Sequence, residues 1–438
     1  MVNLSAVFGI SANANSKSYV DRGGLDARFR QALVADRHIA VHGGSKQGKT
    51  WLRTKGLEGE AAIVVQCTPG ATASSLLQEA LGRIGVQAIL KMTSSRDLEG
   101  SLDFSGSGEL GAKILAKLSL TGKLGTKAKI QQGKELQPIG QTTADLAWVA
   151  ETIAASDHRL VLEDFHYIDE TVQRELAFML KAMGEYGLFV VIVGVWPKTH
   201  LLSYYNGDLE GRVDDIHLTW SDAELTKVLV QGADALKITF SAALIAELVK
   251  EASGNVGLLQ RLAEQVCTAE QVYSSPGFGG ARRTLDVGAS LAAARQAVAD
   301  QMEGRFETFA DNFVRGMRRL PQGLEVYRHL LESVTDASDQ ELLDGIDSAV
   351  LLQRIASHPG GAAIRASDLT QALDRIDSLQ LKIGVQPLVL TYNKSSRKLF
   401  LADRSFLFFR RHGNPNWPWA AGAPDITNDL AQSDPLDF

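Results

Sequence analysis

The chain has 438 residues, of which 45% are hydrophobic and 22% charged, and its formal net charge is −6. This composition is ordinary for a soluble globular protein, and the length predicts two or three domains. The acidic balance argues against nonspecific coating of nucleic acid, and two cysteines, Cys67 and Cys267, are too few for a disulfide framework.

The location that the sequence predicts is cytoplasmic. No charged segment followed by an apolar one opens the chain, and the longest apolar run, residues 188–196, is far shorter than the roughly 20 residues of a membrane-spanning helix. We therefore expect no transmembrane segment. Both cysteines lie in apolar settings, where buried free thiols are expected.

Residues 43–50, GGSKQGKT, fit the pattern G-x-x-x-x-G-K-[ST] and directly follow the apolar run 38–41. Glycines let such a loop curl so that its amides point at phosphate oxygens, while the helix behind it directs its positive end at the same anion. Lys49 would contact the β and γ phosphates, and Thr50 would offer its hydroxyl to Mg²⁺. The expected nucleotide-binding residues are Gly43, Gly44, Ser45, Lys46, Gln47, Gly48, Lys49 and Thr50. A glycine-rich turn with an incidental lysine is the alternative.

Strand and helix patterns alternate after this loop. Short apolar runs at 61–67, 159–162 and 188–193 are typical of strands buried on both faces of a parallel sheet. The helical pattern at 170–183 places its apolar residues for packing against that sheet. The predicted fold class is α/β, a P-loop parallel sheet with helices on it.

An insertion at 93–137 interrupts this alternation. From Leu102 to Ile130 every even position is apolar, small or Thr, which predicts a β-hairpin. A helix through Leu110, Ile114 and Leu118 is the competing interpretation. The insertion could cover its own domain, mediate self-association, lie against a membrane, or present lysines to an acidic partner such as nucleic acid. Those lysines are Lys113, Lys117, Lys123, Lys127 and Lys129.

Glu163 and Asp164 follow the strand pattern at 159–162. A carboxylate at the carboxyl end of a strand beside the phosphate-loop strand can hold the Mg²⁺ shell, and its neighbour can orient or deprotonate a water. By position Glu163 would serve the metal and Asp164 the water, although the reverse assignment stays open. Two acids that merely cap a strand are the alternative.

Several segments together resemble the AAA+ ATPases nearest the origin-recognition and STAND groups. They are residues 19–22 (YVDR), 43–50, 160–169 (LVLEDFHYID), 193–196 (VGVW) and 206–216 (NGDLEGRVDDI). The resemblance covers roughly residues 15–265, and only the phosphate loop is highly specific. It implies ATP and Mg²⁺ as ligands, hydrolysis of ATP, and assembly into oligomers.

The resemblance also implies roles for single positions. Tyr19 and Arg22 match a box that lies near the adenine, and Arg212 matches the arginine that reaches a neighbouring subunit's γ phosphate. A surface arginine paired with Asp214 or Asp215 is the alternative for Arg212. The strand ending at Gly194 matches the sensor 1 strand, with Lys198 as a distant polar residue. At the sensor 2 position stands Gly257, and Arg261 follows one turn later.

The domain boundaries predicted from these patterns are 1–218 for the ATPase core, 219–270 for a helical lid, 286–412 for a helical and winged-helix-like domain, and 413–438 for a flexible tail. Ser221 and Glu224 form the capping pattern that begins the lid. Residues 271–285 are expected to be a linker. Helices followed by a hairpin at 388–401 predict the winged helix.

The C-terminal hairpin region is the most basic stretch of the chain. Its basic residues are Lys382, Lys394, Arg397, Lys398, Arg404, Arg410 and Arg411, against a single acid, Asp403. Contact with duplex DNA is one prediction, and a protein-binding winged helix is the other. In the tail, Trp417 and Trp419 are expected to dock.

The leading hypothesis is an AAA+/STAND-like switch that binds and hydrolyses ATP, forms homo-oligomers and acts on a protein partner, in bacterial defence or signalling. The first alternative is a DNA-binding AAA+ loader or a transposition or replication regulator. A binding-only protein that does not hydrolyse ATP is the second, because the Glu-Asp order and both sensor positions depart from the family pattern.

Overall fold

The computed structural model describes residues 1–10, 17–94, 97–103, 113–114, 117, 146–196, 200–277, 280–315 and 325–419. These residues form two compact units. The sheet unit comprises Gly23–Gly43 and Lys49–Leu218, and the helical unit comprises Met1–Arg22, Gly44–Gly48 and Thr219–Phe438. Five residues of the predicted phosphate loop thus belong to the helical unit.

The sheet unit alternates strands and helices. Its described helices are α1 (Leu25–Val34), α2 (Lys49–Gly56), α3 (Ala73–Arg83), α4 (Leu146–Ala155), α5 (Glu170–Glu185) and α6 (Leu201–Tyr205). Its described strands are β1 (His38–Gly43), β2 (Ala62–Gln66), β3 (Gln87–Ser94), β4 (Asp97–Asp103), β5 (Arg159–Glu163), β6 (Val190–Gly194) and β7 (Val213–Leu218).

Five of these strands form one parallel sheet in the order β2-β5-β6-β1-β7. This confirms the predicted α/β fold class, a parallel sheet with helices on it. Because all five strands run in one direction, their carboxyl ends meet at one edge of the sheet, where ligands bind in such folds. The loop after β1 and the acids at the end of β5 both lie at this edge.

Alternate residues of the strands face the two layers of helices. Ile39 and Val41 share a buried cluster with Phe29 of α1 and Leu52 of α2. Ala40 faces the other side, with residues of α3, α4 and α5. The apolar residues of α5 pack in this second cluster, as the sequence predicted, and they are Leu176, Met179, Leu180 and Met183. Packing on both faces fixes the register of the sheet edge that carries the acids.

An antiparallel hairpin, β3–β4, extends from the sheet unit. It begins before the predicted insertion and covers only its first residues, and most of 93–137 lies outside the described residues. Lys113 and Lys117 contact Asp157, while Ile114 is buried. These two lysines therefore pair within their own unit.

The helical unit contains the remaining elements. Its described helices are α7 (Asp222–Leu236), α8 (Ala242–Ala252), α9 (Val256–Ala269), α10 (Ala289–Arg315), α11 (Val326–Asp336), α12 (Asp339–Asp344), α13 (Ser348–Ser357), α14 (Ala366–Asp374), α15 (Ile376–Lys382) and α16 (Ser405–His412). Its described strands are β8 (Ile238–Phe240), β9 (Arg283–Leu285), β10 (Ile346–Asp347), β11 (Leu390–Asn393) and β12 (Lys398–Leu401).

One apolar cluster runs through this unit from the amino-terminal residues to α16. Phe8 lies against Phe240, with ring centroids 5.9 Å apart. The predicted linker 271–285 is wrong in part, because β9 pairs in parallel with β8, and Asn3 forms a bridge with Ser274. That segment is part of the folded unit.

The C-terminal part of the helical unit contains a three-stranded antiparallel sheet in the order β10-β12-β11. Gln380 is fully buried and joins α15 to this sheet by donating to the Leu390 carbonyl and accepting from the Val389 amide. Trp417 and Trp419 stack 5.5 Å apart, and Trp417 lies against Phe406, so both tryptophans dock as expected.

Cys67 and Cys267 are both buried and free, and burial raises the pKa of each thiol to about 12.

Among the described helices, none has the length and apolar character required to cross a bilayer.

Candidate nucleotide site

The loop after β1 takes the bends that an anion-binding loop requires. Gly43, Lys46 and Gly48 have positive φ angles of 146°, 56° and 79°, and α2 begins at Lys49. A Cβ atom at Gly43 would lie 2.6 Å from the carbonyl oxygen of Leu218. Glycine is therefore required at Gly43 both by its backbone conformation and by the space available.

Three amides of this loop remain available. Within the described part of the chain, the amides of Lys46, Gln47 and Gly48 have no hydrogen-bond partner. Successive unpaired amides of this kind bind phosphate oxygens in P-loop proteins.

The tip of the loop, Gly44–Gly48, is held by hydrogen bonds within the helical unit. The Ser45 amide donates to the Ala402 carbonyl at 2.8 Å, and the Gly257 amide donates to the Lys46 carbonyl at 3.1 Å. The Gln47 side chain donates to the Gly254 carbonyl at 2.9 Å. Residues before α9 and after β12 thus fix the conformation of the loop tip.

Arg22 and Trp220 also bind the loop tip, through the carbonyl of Gln47. Both donate to the Gln47 carbonyl, from Nη1 at 2.9 Å and from the indole nitrogen at 3.1 Å. The Arg22 guanidinium also lies 4.3 Å from the Trp220 ring centroid. The structure therefore gives Arg22 a contact with the loop itself. Tyr19 is half-buried three residues earlier.

Gly257 stands where the resemblance places a sensor 2 arginine. A Cβ atom at Gly257 would lie 2.7 Å from Cβ of Lys46, so the close approach of α9 to the loop leaves no room for a side chain. Arg261 donates to Gln301 at 2.6 Å, and burial lowers the pKa of its guanidinium. Arg261 is thus engaged with α10.

Glu163 is bound by Arg53 of α2, at the sheet edge. Nε and Nη2 of Arg53 both lie 2.8 Å from Oε1 of Glu163; the Glu163 side chain is buried and that of Arg53 is partly buried. Burial raises the pKa of the Glu163 carboxyl, and Arg53 opposes that rise. Arg53 lies one helical turn after Lys49, on the same face of α2. Among the described residues, Oε2 of Glu163 has no hydrogen-bond partner.

Asp164 and His166 lie near the Lys49 ammonium. Burial raises the pKa of Asp164, and the charge of Lys49 lowers it. Burial and then the charge of Lys49 lower the pKa of His166 to about 3, so this imidazole is neutral. Neither ring nitrogen of His166 has a partner among the described residues. The two acids, Lys49 and His166 thus lie close together.

The strand carrying the acids is not adjacent to the phosphate-loop strand. β6 lies between β1 and β5, which separates their backbones by about 9.5 Å. A metal and phosphate oxygens can be accommodated across such a gap. Thr50 is exposed in the first turn of α2.

His42, which is buried near the end of β1, contacts an aspartate and two aromatic rings. Nε2 of His42 lies 2.8 Å from Oδ1 of Asp215, and the His42 ring stacks between Trp196 and His217, with centroids 5.0 and 4.8 Å away. Burial favours a higher pKa for Asp215, but His42 and His200 hold that pKa below its usual value. Lys198, the polar residue suggested for the Gly194 strand, lies outside the described residues.

Arg212 lies at the opposite edge of the sheet from the loop. It precedes β7, and the length of β7 places it about 20 Å along the strand from the carboxyl edge. Its Nη1 is 3.9 Å from Glu185, and both side chains are about half exposed. Asp214 pairs with Arg28 and Arg37, and Asp215 with His42, so the pairing suggested for Arg212 is wrong in its partner.

Three of the C-terminal basic residues are engaged within the helical unit. Arg404 donates to the Ser253 carbonyl, Arg410 to the carbonyl of Ala337, and Arg411 to Glu251. Lys382, Lys394 and Arg397 are exposed. Arg411 is also exposed, although its side chain pairs with Glu251.

No protein-family model matches the chain, and no curated protein matches it. Solved structures similar to it include a Walker-type ATPase of Pyrococcus abyssi, with 12% identity, a TM-score of 0.48, and coverage of 90% of this chain and 97% of the other. Another is the RuvB Holliday junction branch migration motor of Thermotoga maritima, with 12% identity, a TM-score of 0.35, and coverage of 89% and 94%. A third is Cdc6p of Pyrobaculum aerophilum, with 12% identity, a TM-score of 0.34, and coverage of 91% and 97%.

Removing the partner of Glu163 should destabilise the protein in a pH-dependent way. Arg53→Ala leaves a buried carboxylate unpaired, which costs about 3 kcal/mol while that carboxylate is ionised. Because the pKa of Glu163 is raised in the folded state, this cost is absent at pH values below its unfolded pKa and appears as pH rises through the folded pKa. Thermal unfolding of variant and wild type at pH 5 and pH 8 should show the larger difference at pH 8.

Arg83→Ala is the matched control, since Arg83 forms an exposed pair with Glu79 in the same unit. It should change stability by no more than about 0.5 kcal/mol at either pH. An equal loss at both pH values in Arg53→Ala would show that the ion pair is not the source of the effect.

Proposed function

We propose that the chain is a Mg²⁺-dependent ATPase of AAA+ type that works as a nucleotide-controlled switch. One observation carries the proposal: the loop at 43–50 has the curled form with available amides, and Lys49 at its end lies near two acids from another strand. A triphosphate and a metal require a cation and acids in this proximity.

The residues near Lys49 fit magnesium. The Thr50 hydroxyl and the carboxylates of Glu163 and Asp164 are hard oxygen donors, which Mg²⁺ prefers. When bound, Mg²⁺ would neutralise charge on the phosphates. Glu163 can offer Oε2 to the metal shell while Oε1 stays with Arg53, and Asp164 then remains to orient a water. This assignment follows the order expected from the sequence.

The bonds of the loop tip give the switch its physical basis. A ligand shifts a conformational equilibrium only through different contacts in the two states. The Ser45 amide and the Lys46 carbonyl are bonded to Ala402 and Gly257. A triphosphate that reshapes the loop has to alter these bonds, and residues 219–270 and 286–412 would respond as the lid and the C-terminal domain.

We further propose that residues 286–412 contain a winged-helix-like fold. Helices α11, α13 and α14 precede the strand pair β11–β12, and the sheet order β10-β12-β11 places the last strand in the middle. Such a domain would present a surface to a protein partner. The protein partner, the role in defence or signalling and the cytoplasmic location stay predictions from the sequence.

ATP binding should depend on Lys49. Lys49→Ala removes a charged donor to two phosphates, each such bond contributing about 1.5–3 kcal/mol, so affinity should fall at least about 100-fold. Titration of the purified chain with a fluorescent ATP analogue measures this affinity. Lys55→Ala is the matched control on the same helix, because Lys55 pairs with Glu58 instead. Undiminished affinity in Lys49→Ala would falsify the site.

Arg212 should act across a subunit boundary. Since it lies at the edge opposite its own loop, Arg212→Ala should leave ATP affinity unchanged and slow hydrolysis by about 10³-fold or more in the assembled protein. Glu185→Ala is the control, because it removes the same ion pair and keeps the arginine. Turnover rates measured at several protein concentrations test this. If both substitutions slow hydrolysis equally, the loss of the ion pair is the cause, and Arg212 does not act on the γ phosphate of a neighbouring subunit.

The alternative function is a DNA-dependent one, for which the exposed Lys394 and Arg397 in the β11–β12 turn are the supporting observation. ATP turnover and particle size, measured with and without duplex DNA, separate the two functions. The switch acting on protein predicts no response to DNA. Stimulated turnover and assembly only with DNA would favour a loader or a transposition or replication regulator.

A further inference from the structure

A second cluster of ligand-type side chains lies in the helical unit, among residues that the proposed ATPase does not use. His329 and Glu332 are three residues apart on α11, so they share one face of that helix. His358 follows directly after α13. The fold thus brings two imidazoles and a carboxylate together from two helices.

The distances in this cluster are those of ligands around one ion. Nδ1 of His329 lies 3.4 Å from Oε2 of Glu332, and Nδ1 of His358 lies 3.3 Å from the same oxygen. All three atoms lie within 4.8 Å of one another. Tetrahedral zinc with ligand bonds of 2.0–2.1 Å separates its ligand atoms by about 3.3 Å. Both contacts of the shared oxygen match this separation.

Both rings are largely buried, and their contacts with the shared Glu332 oxygen are long for hydrogen bonds. The His329 side chain is 8% exposed and that of His358 13%. Neither Nδ1 atom has a hydrogen-bond partner in the part of the chain that the structure describes. Buried polar atoms are nearly always paired, so two such nitrogens converging on one oxygen need an explanation.

A second carboxylate lies close to the cluster. Nε2 of His358 lies 3.9 Å from Oδ2 of Asp336, on the side of the ring away from Glu332. Metal-binding histidines usually direct their second nitrogen at a carboxylate, which fixes the ring orientation.

We propose that His329, Glu332 and His358 form a zinc site that joins α11 to the end of α13. Two imidazole nitrogens and one carboxylate oxygen are donors that Zn²⁺ accepts, and the fourth position is left to water or another ligand. Asp336 is the nearby carboxylate that could approach the second nitrogen of His358 once the metal is bound. The ion would hold two helices of the C-terminal sheet region together, so it would contribute to the stability of that region.

The test uses the untagged full chain, stripped with a chelator and dialysed against Zn²⁺. One zinc per chain should remain, its addition should raise the unfolding temperature, and chelator should reverse that rise. His358→Gln and Glu332→Gln should each weaken binding more than about 100-fold, beyond the effect of losing an outer partner. His200→Gln, whose side chain is 72% exposed in the sheet unit, is the matched control and should bind as wild type.

Co²⁺ gives a readout that does not depend on how well the variants fold. In the wild-type chain it should produce the intense visible absorption of a four-coordinate site, which Zn²⁺ then displaces. The proposal is overturned if the stripped chain retains no zinc, if the Co²⁺ spectrum is that of a hexa-aquo ion, or if both variants bind zinc as tightly as wild type. The Lys49→Ala variant tests the nucleotide site alone, so the result for ATP binding and the result for zinc binding are independent.

Discussion

The common direction of the five strands is the constraint on which the candidate site depends. Because β1, β5, β6 and β7 all run the same way, their carboxyl ends supply the phosphate loop, the acids, the Trp196 segment and the β7 end at one edge. Packing on both faces holds this register, since a shift of one residue in β5 would exchange its buried faces and move Glu163 away from Arg53. The chemistry of the site thus rests on apolar packing far from it.

Two kinds of restraint act on the phosphate loop. Gly43 is restrained by the Leu218 carbonyl in the sheet unit, whereas Ser45, Lys46 and Gln47 are bonded to residues of the helical unit. The first sets where the loop starts, and the second sets the shape of its tip. The amides of Lys46, Gln47 and Gly48 remain available for an anion. The loop therefore combines a fixed first residue with contacts that a ligand can change.

Local patterns were sufficient for the strands themselves and for the end of the strand at which Glu163 and Asp164 lie, because each depends on residues that are close in sequence. The order of the strands is not local, and the prediction that the acids follow a strand beside the phosphate-loop strand was wrong, since β6 lies between β1 and β5. Arg53 was missed, although its spacing of four from Lys49 on a helix was a usable signal. The spacing of His329 and Glu332 was another. The bond between Gln47 and Gly254 joins residues 207 positions apart, and no local pattern encodes it. Arg404, Arg410 and Arg411 look like a basic surface in the sequence because their partners lie far away along the chain. Ser253 and Glu251, for example, are 151 and 160 positions from Arg404 and Arg411.

The interleaving of the two units has a consequence for how the protein is made. The sheet unit is complete once residue 218 has left the ribosome, but Phe8 belongs to an apolar cluster whose last members, Phe408 and Phe409, come nearly at the end of the chain. At 5–20 residues per second, about 20–80 s separate the synthesis of these partners. During that time the amino-terminal segment must be kept from other hydrophobic surfaces, which makes it the natural point at which a chaperone would engage the nascent chain.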